Sequence, residues 1–114
     1  MVSNVMVQKL ALAFDQTEDK PHFEKTSFRV KNKIFATLDK AKRKLVVKLS
    51  NVDQSVFSSI DRKAVFPVPG GWGKQGWTII ELKHAKKSLV IDALTTSYTN
   101  VAPKKLADKY LPKV

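Results

Sequence analysis

At 114 residues with no cysteine, the chain is sized for one domain and holds neither disulfides nor thiolate metal ligands. Twenty-one Lys and Arg against ten Asp and Glu give +11, and no apolar run approaches the roughly 20 residues that a membrane-spanning helix needs. Such a charge points to a polyanionic partner, with a merely solubilising surface as the bland alternative. The opening residues Met1-Val2-Ser3-Asn4-Val5 lack the basic-then-apolar pattern of a signal peptide, so a cytoplasmic location and no membrane partner are expected.

In chain order, residues 4–14 predict a helix capped by Ser3, with Met6, Leu10, Ala13 and Phe14 at helical spacing. Asp15 to Lys20 is polar, ends at Pro21, and reads as a loop. Residues 21–49 predict a strand meander. His22 to Lys25 is a short extended segment, and Phe28 to Lys31 points Phe28 and Val30 inward with Arg29 and Lys31 outward. A tight turn at Lys31-Asn32-Lys33 follows. Ile34 to Asp39 then groups Ile34, Ala36 and Leu38 on one face and Phe35 and Thr37 on the other. A charged turn at Lys40 to Arg43 leads to Lys44–Leu49, with Leu45, Val47 and Leu49 on one face and Lys44, Val46 and Lys48 on the other.

Ser50 with Asp53 resembles a capping box and opens a second helix. Its Val52, Val56 and Ile60 read as a core stripe, with Phe57 beside them. A third helix over about 87–99 buries Val90, Ala93, Leu94 and Tyr98, and Pro103 starts a short terminal helix that carries Leu106 and Tyr110 and stops at Pro112.

All four glycines fall between 70 and 76, and both tryptophans between 72 and 77. A strand-like run over 64–68 stops at Pro69, the glycine-rich loop follows, and a second run starts at Trp77. Trp72 in such a loop either plugs the core or stands out as a contact residue. The string Gly71-Trp72-Gly73-Lys74-Gln75-Gly76 matches G-x-G-x-x-G, but the continuation Trp77-Thr78-Ile79-Ile80 is strand-like. A dinucleotide fingerprint needs a helix there, so that reading is rejected.

Charge is densest between residues 29 and 48, where eight basic residues face one acid, Asp39. Strand parity sets Arg29 with Lys31, and Lys44 with Lys48, on the solvent side. The candidate nucleic-acid contacts are Arg29, Lys31, Lys33, Lys42, Arg43, Lys44, Lys48 and, on the glycine loop, Lys74, with Trp72 as a contact residue. Only three arginines occur, and lysine acts as a point charge on phosphate, so backbone contact outweighs base reading. The bland alternative is a sheet face kept soluble and protected from edge pairing by its lysines. His22 and His84, the only histidines, have no partners at metal spacing, and the serines have no nucleophile motif. No enzyme, cofactor or metal is called for.

Taken together, Pro21-His22-Phe23, Ser27-Phe28-Arg29-Val30, Lys33-Ile34-Phe35-Ala36-Thr37-Leu38, Gly71-Trp72-Gly73, Gly76-Trp77-Thr78, Ser97-Tyr98 and Val101-Ala102-Pro103-Lys104 resemble the MmcQ/YjbR family of bacterial proteins, from about Pro21 to Leu106. Asn32 stands where many relatives have glycine, and it suits the turn. The resemblance implies a single compact α+β domain: an N-terminal helix, an antiparallel sheet interrupted by a middle helix, and C-terminal helices. It also implies a "double wing" arrangement similar to a phage transcription-factor domain and, from that shape, DNA binding. It carries no catalytic or binding residues onto this chain. The leading expectation is a sequence-tolerant DNA-binding domain, monomeric or weakly dimeric. The alternative is a protein-interaction module that uses the Trp72 loop.

Overall fold

The computed structural model describes residues 2–111. Helix α1, Asn4–Leu12, starts where the Ser3 hydroxyl accepts the Met6 amide hydrogen at 3.1 Å and buries Val7 and Ala11. It ends short of the expected residue 14. Phe14 leaves the helix and stacks on Tyr98, with ring centroids 4.7 Å apart.

Four strands follow as a meander: β1 Thr17–His22, β2 Lys25–Val30, β3 Lys33–Asp39 and β4 Lys44–Lys48. Then come α2 Asn51–Ile60, β5 Val65–Pro67, the single-turn helix α3 Gly71–Lys74 and β6 Trp77–Glu81. Helices α4 Lys87–Val101 and α5 Lys104–Ala107 and a 3-10 turn, Asp108–Tyr110, complete the described chain. The expected stop at Pro112 lies outside the described residues. The six strands form one sheet in the order β1-β2-β3-β4-β6-β5, antiparallel at every pairing. This compact α+β architecture is the expected one.

Three local expectations are corrected. The polar stretch read as a loop is strand β1 from Thr17 onward. It is an edge strand whose middle residues are all exposed, so it has no apolar alternation to read, and pairing with β2 along its whole length holds it. The segment from His22 to Lys25 is consequently the turn between them, with Phe23 in the left-handed region at φ 58°.

Strand β3 is not strictly alternating. Phe28 pairs with Ala36 and Arg29 with Ile34, which leaves Phe35 as the extra residue of a bulge. Phe35 and Ala36 are therefore both buried in the core, while Ile34 and Thr37 share the opposite face. The hairpin at Lys31 and Asn32 is the expected turn, with both residues at positive φ.

The third correction is α2. Its cap is as expected, with Ser50 Oγ accepting the Asp53 amide hydrogen at 3.1 Å. Its apolar stripe nevertheless faces water, with Val52, Val56 and Ile60 exposed. The helix rotation is set from the other side. Gln54 Nε2 lies 2.9 Å from the Gly73 carbonyl, 3.2 Å from that of Trp77 and 3.1 Å from Thr78 Oγ1. A helix turns about 100° per residue, so Gln54 points roughly opposite to Val52 and Val56. Phe57, one turn beyond Gln54, packs on the core.

Helix α4 supplies Val90, Ala93, Leu94 and Tyr98 to that core, as its periodicity predicts. With α1, it covers one face of the sheet, where Phe28, Val30, Leu38, Leu45, Val47 and Ile80 are buried. No helix among the described residues is long and apolar enough to cross a membrane.

Candidate functional site

Among the described residues no helix lies over the other face of the sheet. Residues paired across antiparallel strands share a face. Thr37 pairs with Val46 and Val46 with Ile79, while Lys48 pairs with Trp77. Thr37, Val46, Ile79 and Trp77, with Ile34 brought over by the bulge, form the floor of a groove of about 500 Å³. Its rim carries Lys25, Lys42 and Lys44, one carboxylate, Asp39, and at one end His22. Trp72 and Val68 close the other end. The floor is mostly apolar and half-buried, and the cations stand around it.

The glycine-rich segment is a mount for Trp72. After β5 the chain makes a single helical turn and enters β6, so no helix follows the glycine string and the rejection of a dinucleotide site stands. The turn is pressed hard onto its neighbours. A Cβ on Gly73 would sit 1.9 Å from the Val68 carbonyl oxygen, and one on Gly76 1.8 Å from that of Leu49. Gly76 also holds φ +103°, which glycine adopts without strain. Its carbonyl accepts hydrogen bonds from the Leu49 amide and from Thr78 Oγ1, both at 3.0 Å. From this anchored base Trp72 extends into water, 64% exposed. Of the two roles open to it from the sequence, plug and contact residue, the core plug is excluded.

The model of the YjbR family matches residues 12–100. The chain belongs to the YjbR family. Its structure is similar to the crystal structure of Deinococcus radiodurans protein DR2400, which has a DUF419 domain. The TM-score is 0.79 at 17% identity, over 98% of this chain and 91% of that one, a likeness of fold alone. No curated protein matches this chain.

In this YjbR domain the densest charge does not make one face. Arg29, Lys42, Lys44 and Lys48 stand on or beside the open face. Arg29 donates from Nε to Ser27 Oγ at 3.0 Å, toward the β1 edge. Lys44 pairs with Glu81 at 3.4 Å. Lys48 Nζ lies 5.5 Å from the centre of the Trp77 ring and donates to the Gln75 carbonyl, so it braces that ring as well as carrying charge. Lys31 and Lys33 sit at the exposed β2–β3 hairpin, Lys31 in the turn itself rather than outward on a strand. Arg43 is committed elsewhere: its Nη2 donates to the Val2 carbonyl at 2.8 Å and ties down the N-terminal segment. Lys74 is exposed on α3, beside the Trp72 mount.

Lys25, Ile34, Val46, Trp77 and Ile79 belong to the groove although sequence reasoning did not single them out. The alternation Lys44-Val46-Lys48 was the available signal, but its cross-strand partners become visible only with the register. Glu24, two residues after His22, lies in the β1–β2 turn and is exposed. Among the described residues no group of three or more His, Cys, Asp or Glu side chains is placed to hold a metal ion.

On the helical side of the sheet two groups titrate away from their ordinary values. Burial, with the charges of Tyr110 and Asp15, pushes the Tyr98 hydroxyl up to about 12, and that hydroxyl donates to the Asp15 carbonyl at 2.6 Å. Lys109 is raised by its hydrogen bond and ion pair with Asp15.

Proposed function

We propose that the protein binds nucleic acid through the open face of its sheet, holding phosphates with lysines and tolerating any sequence. The observation that carries this reading is the lysine-rimmed groove on a chain of net charge +11. A sheet face left bare for solubility alone would carry polar side chains across its floor. This one keeps Ile34, Val46, Ile79 and Trp77 there, and places Lys25, Lys42, Lys44 and Lys48 around them. The exposed Trp72 also suits a protein partner. Charge favours the polyanion, because a basic rim attracts phosphate over the Debye length before any contact forms.

The test is fluorescence anisotropy of a labelled oligonucleotide at about 50 and 200 mM salt. Three phosphate contacts give a log–log salt slope near −2 for a single strand and near −3 for a duplex, so affinity falls roughly 20- to 40-fold across that range. Lys42→Gln, Lys44→Gln and Lys48→Gln together flatten the slope by about one unit per lost contact. The matched control neutralises Lys86, Lys87 and Lys104, which are exposed around the helices. Equal losses in both triple variants, or no binding at 50 mM salt, refute the assignment to this face.

A further inference from the structure

We infer that the ligand is single-stranded, with bases stacked on the tryptophans of the groove while the lysines take the phosphates. This rests on the nucleic-acid reading above and narrows it. A duplex presents its charged backbone outward and keeps its base faces stacked inside. Its major groove, about 12 Å wide, admits a helix or a two-stranded ribbon, not the hollow of a six-stranded sheet. Against a duplex, the apolar floor of Ile34, Val46 and Ile79 would meet phosphates and stay unfilled. A single strand offers both surfaces at once: flat apolar bases for the floor and phosphates for the rim.

Aromatic rings stand at both ends of the groove. Trp77 and Trp72 close one end, with Lys48 over the Trp77 ring. His22 lines the other end, and its ring lies 4.9 Å from that of Phe23. Phe23 is 93% exposed and holds φ 58°, a conformation that a bulky residue adopts only under strain. From β1 to β6 is four strand spacings, about 19 Å. The rings are thus spread along a path longer than one base, with Lys25, Lys42 and Lys44 beside it. Rings interleaved with lysines along an open sheet are the means by which single strands are held without sequence preference.

The test compares four labelled probes of twelve units: oligo-dT, oligo-U, a duplex, and a phosphodiester strand of abasic units. We expect the dT and U strands to bind at least tenfold more tightly than the duplex. Trp72→Ala should weaken them roughly 5- to 150-fold, the range for one lost base–aromatic stack. It should leave the weak binding of the abasic strand unchanged. Because the Trp72 ring is mostly exposed, the variant keeps its fold, checked by its urea midpoint. Preference for DNA or RNA is read from the dT and U arms.

If duplex and single strand bind alike and Trp72→Ala changes neither, while the lysine variant still loses affinity, phosphate contact stands and base stacking is overturned. If no probe binds, both proposals fall.

Discussion

The apolar stripe of α2 offers a sharp test of the packing. Val52, Val56 and Ile60 keep 74%, 51% and 66% of their surface in water. Full burial of a Val or Ile side chain stabilises by about 1.5–3 kcal/mol. Each residue here buries between roughly a quarter and a half of its surface, so its burial is worth about 0.4–1.5 kcal/mol. Glutamine retains the inner methylenes and favours helix over β-branched residues by a few tenths of a kcal/mol. The triple variant Val52→Gln, Val56→Gln, Ile60→Gln should therefore lose only about 1–2 kcal/mol in all. Were the stripe a core face, truncation at each site would cost about 2–5 kcal/mol, and the three together would unfold a domain of this size. The assay is urea denaturation followed by far-UV circular dichroism, with Gln54→Ala as the opposed variant. The two amide protons of Gln54 serve Gly73, Trp77 and Thr78, and losing two such bonds at about 0.5–1.5 kcal/mol each should cost about 1–3 kcal/mol for a single residue. A triple variant that is unfolded without urea, or a silent Gln54→Ala, refutes the helix rotation.

Gly76→Ala should destabilise by several kcal/mol, because its Cβ meets the Leu49 carbonyl at 1.8 Å on a backbone with φ +103°. Gly71→Ala, with nothing within 4 Å of its Cβ, is the silent control, and equal urea midpoints would count against the mount. Stability should also decline with alkali in a defined window. Below pH 10 Tyr98 is protonated in both folded and unfolded chains and contributes no slope. Between 10 and about 12 only the unfolded chain loses the proton, so stability falls by on the order of 1.4 kcal/mol per pH unit. Tyr98→Phe should remove that slope, while losing about 1 kcal/mol at neutral pH with its bond to Asp15. An unchanged alkaline slope would show that Tyr98 is not the titrating group.

Elements carried by apolar period were legible in the sequence. Strand β4 and helix α4 bury the residues that their spacing names. The misses share a cause: a partner that no local pattern reveals. Strand β1 has no apolar face of its own and exists through its pairing with β2. The bulge that brings Phe35 and Ala36 together into the core is a register event between two strands. Helix α2 displays the correct period and cap, yet one glutamine bound to three distant acceptors turns the stripe outward. The candidate site divides along the same line. Lys44, Lys48 and Trp72 were accessible through parity and composition. Ile34, Ile79 and Trp77 join them only once β3, β4 and β6 are placed side by side.

That division bears on why the open face exists at all. Among the described residues five helices accompany the sheet, but α1 and α4 both lie on one side, and α2 lies against the edge strand β5. The short α5 packs on α4 and α3 sits at the end of β6, so no helix of the described residues covers the apolar residues opposite. The alternation along β4 makes this tolerable, since Lys44 and Lys48 flank Val46 and keep the surface wetted. Trp72 is harder to account for by solubility. A tryptophan on a free loop would bury itself against the nearby Val68 or Ile79, because hydrophobic burial outweighs the ordering of one side chain. Gly73 and Gly76 deny it that freedom by seating the loop directly on the carbonyls of Val68 and Leu49. An aromatic held out on a rigid base leaves only its own side-chain rotamers to be ordered by a ligand, which is the gain that preorganisation of the backbone offers a binding surface. On the proposed single-strand reading, relaxing the base should therefore weaken oligo-dT binding even with Trp72 intact.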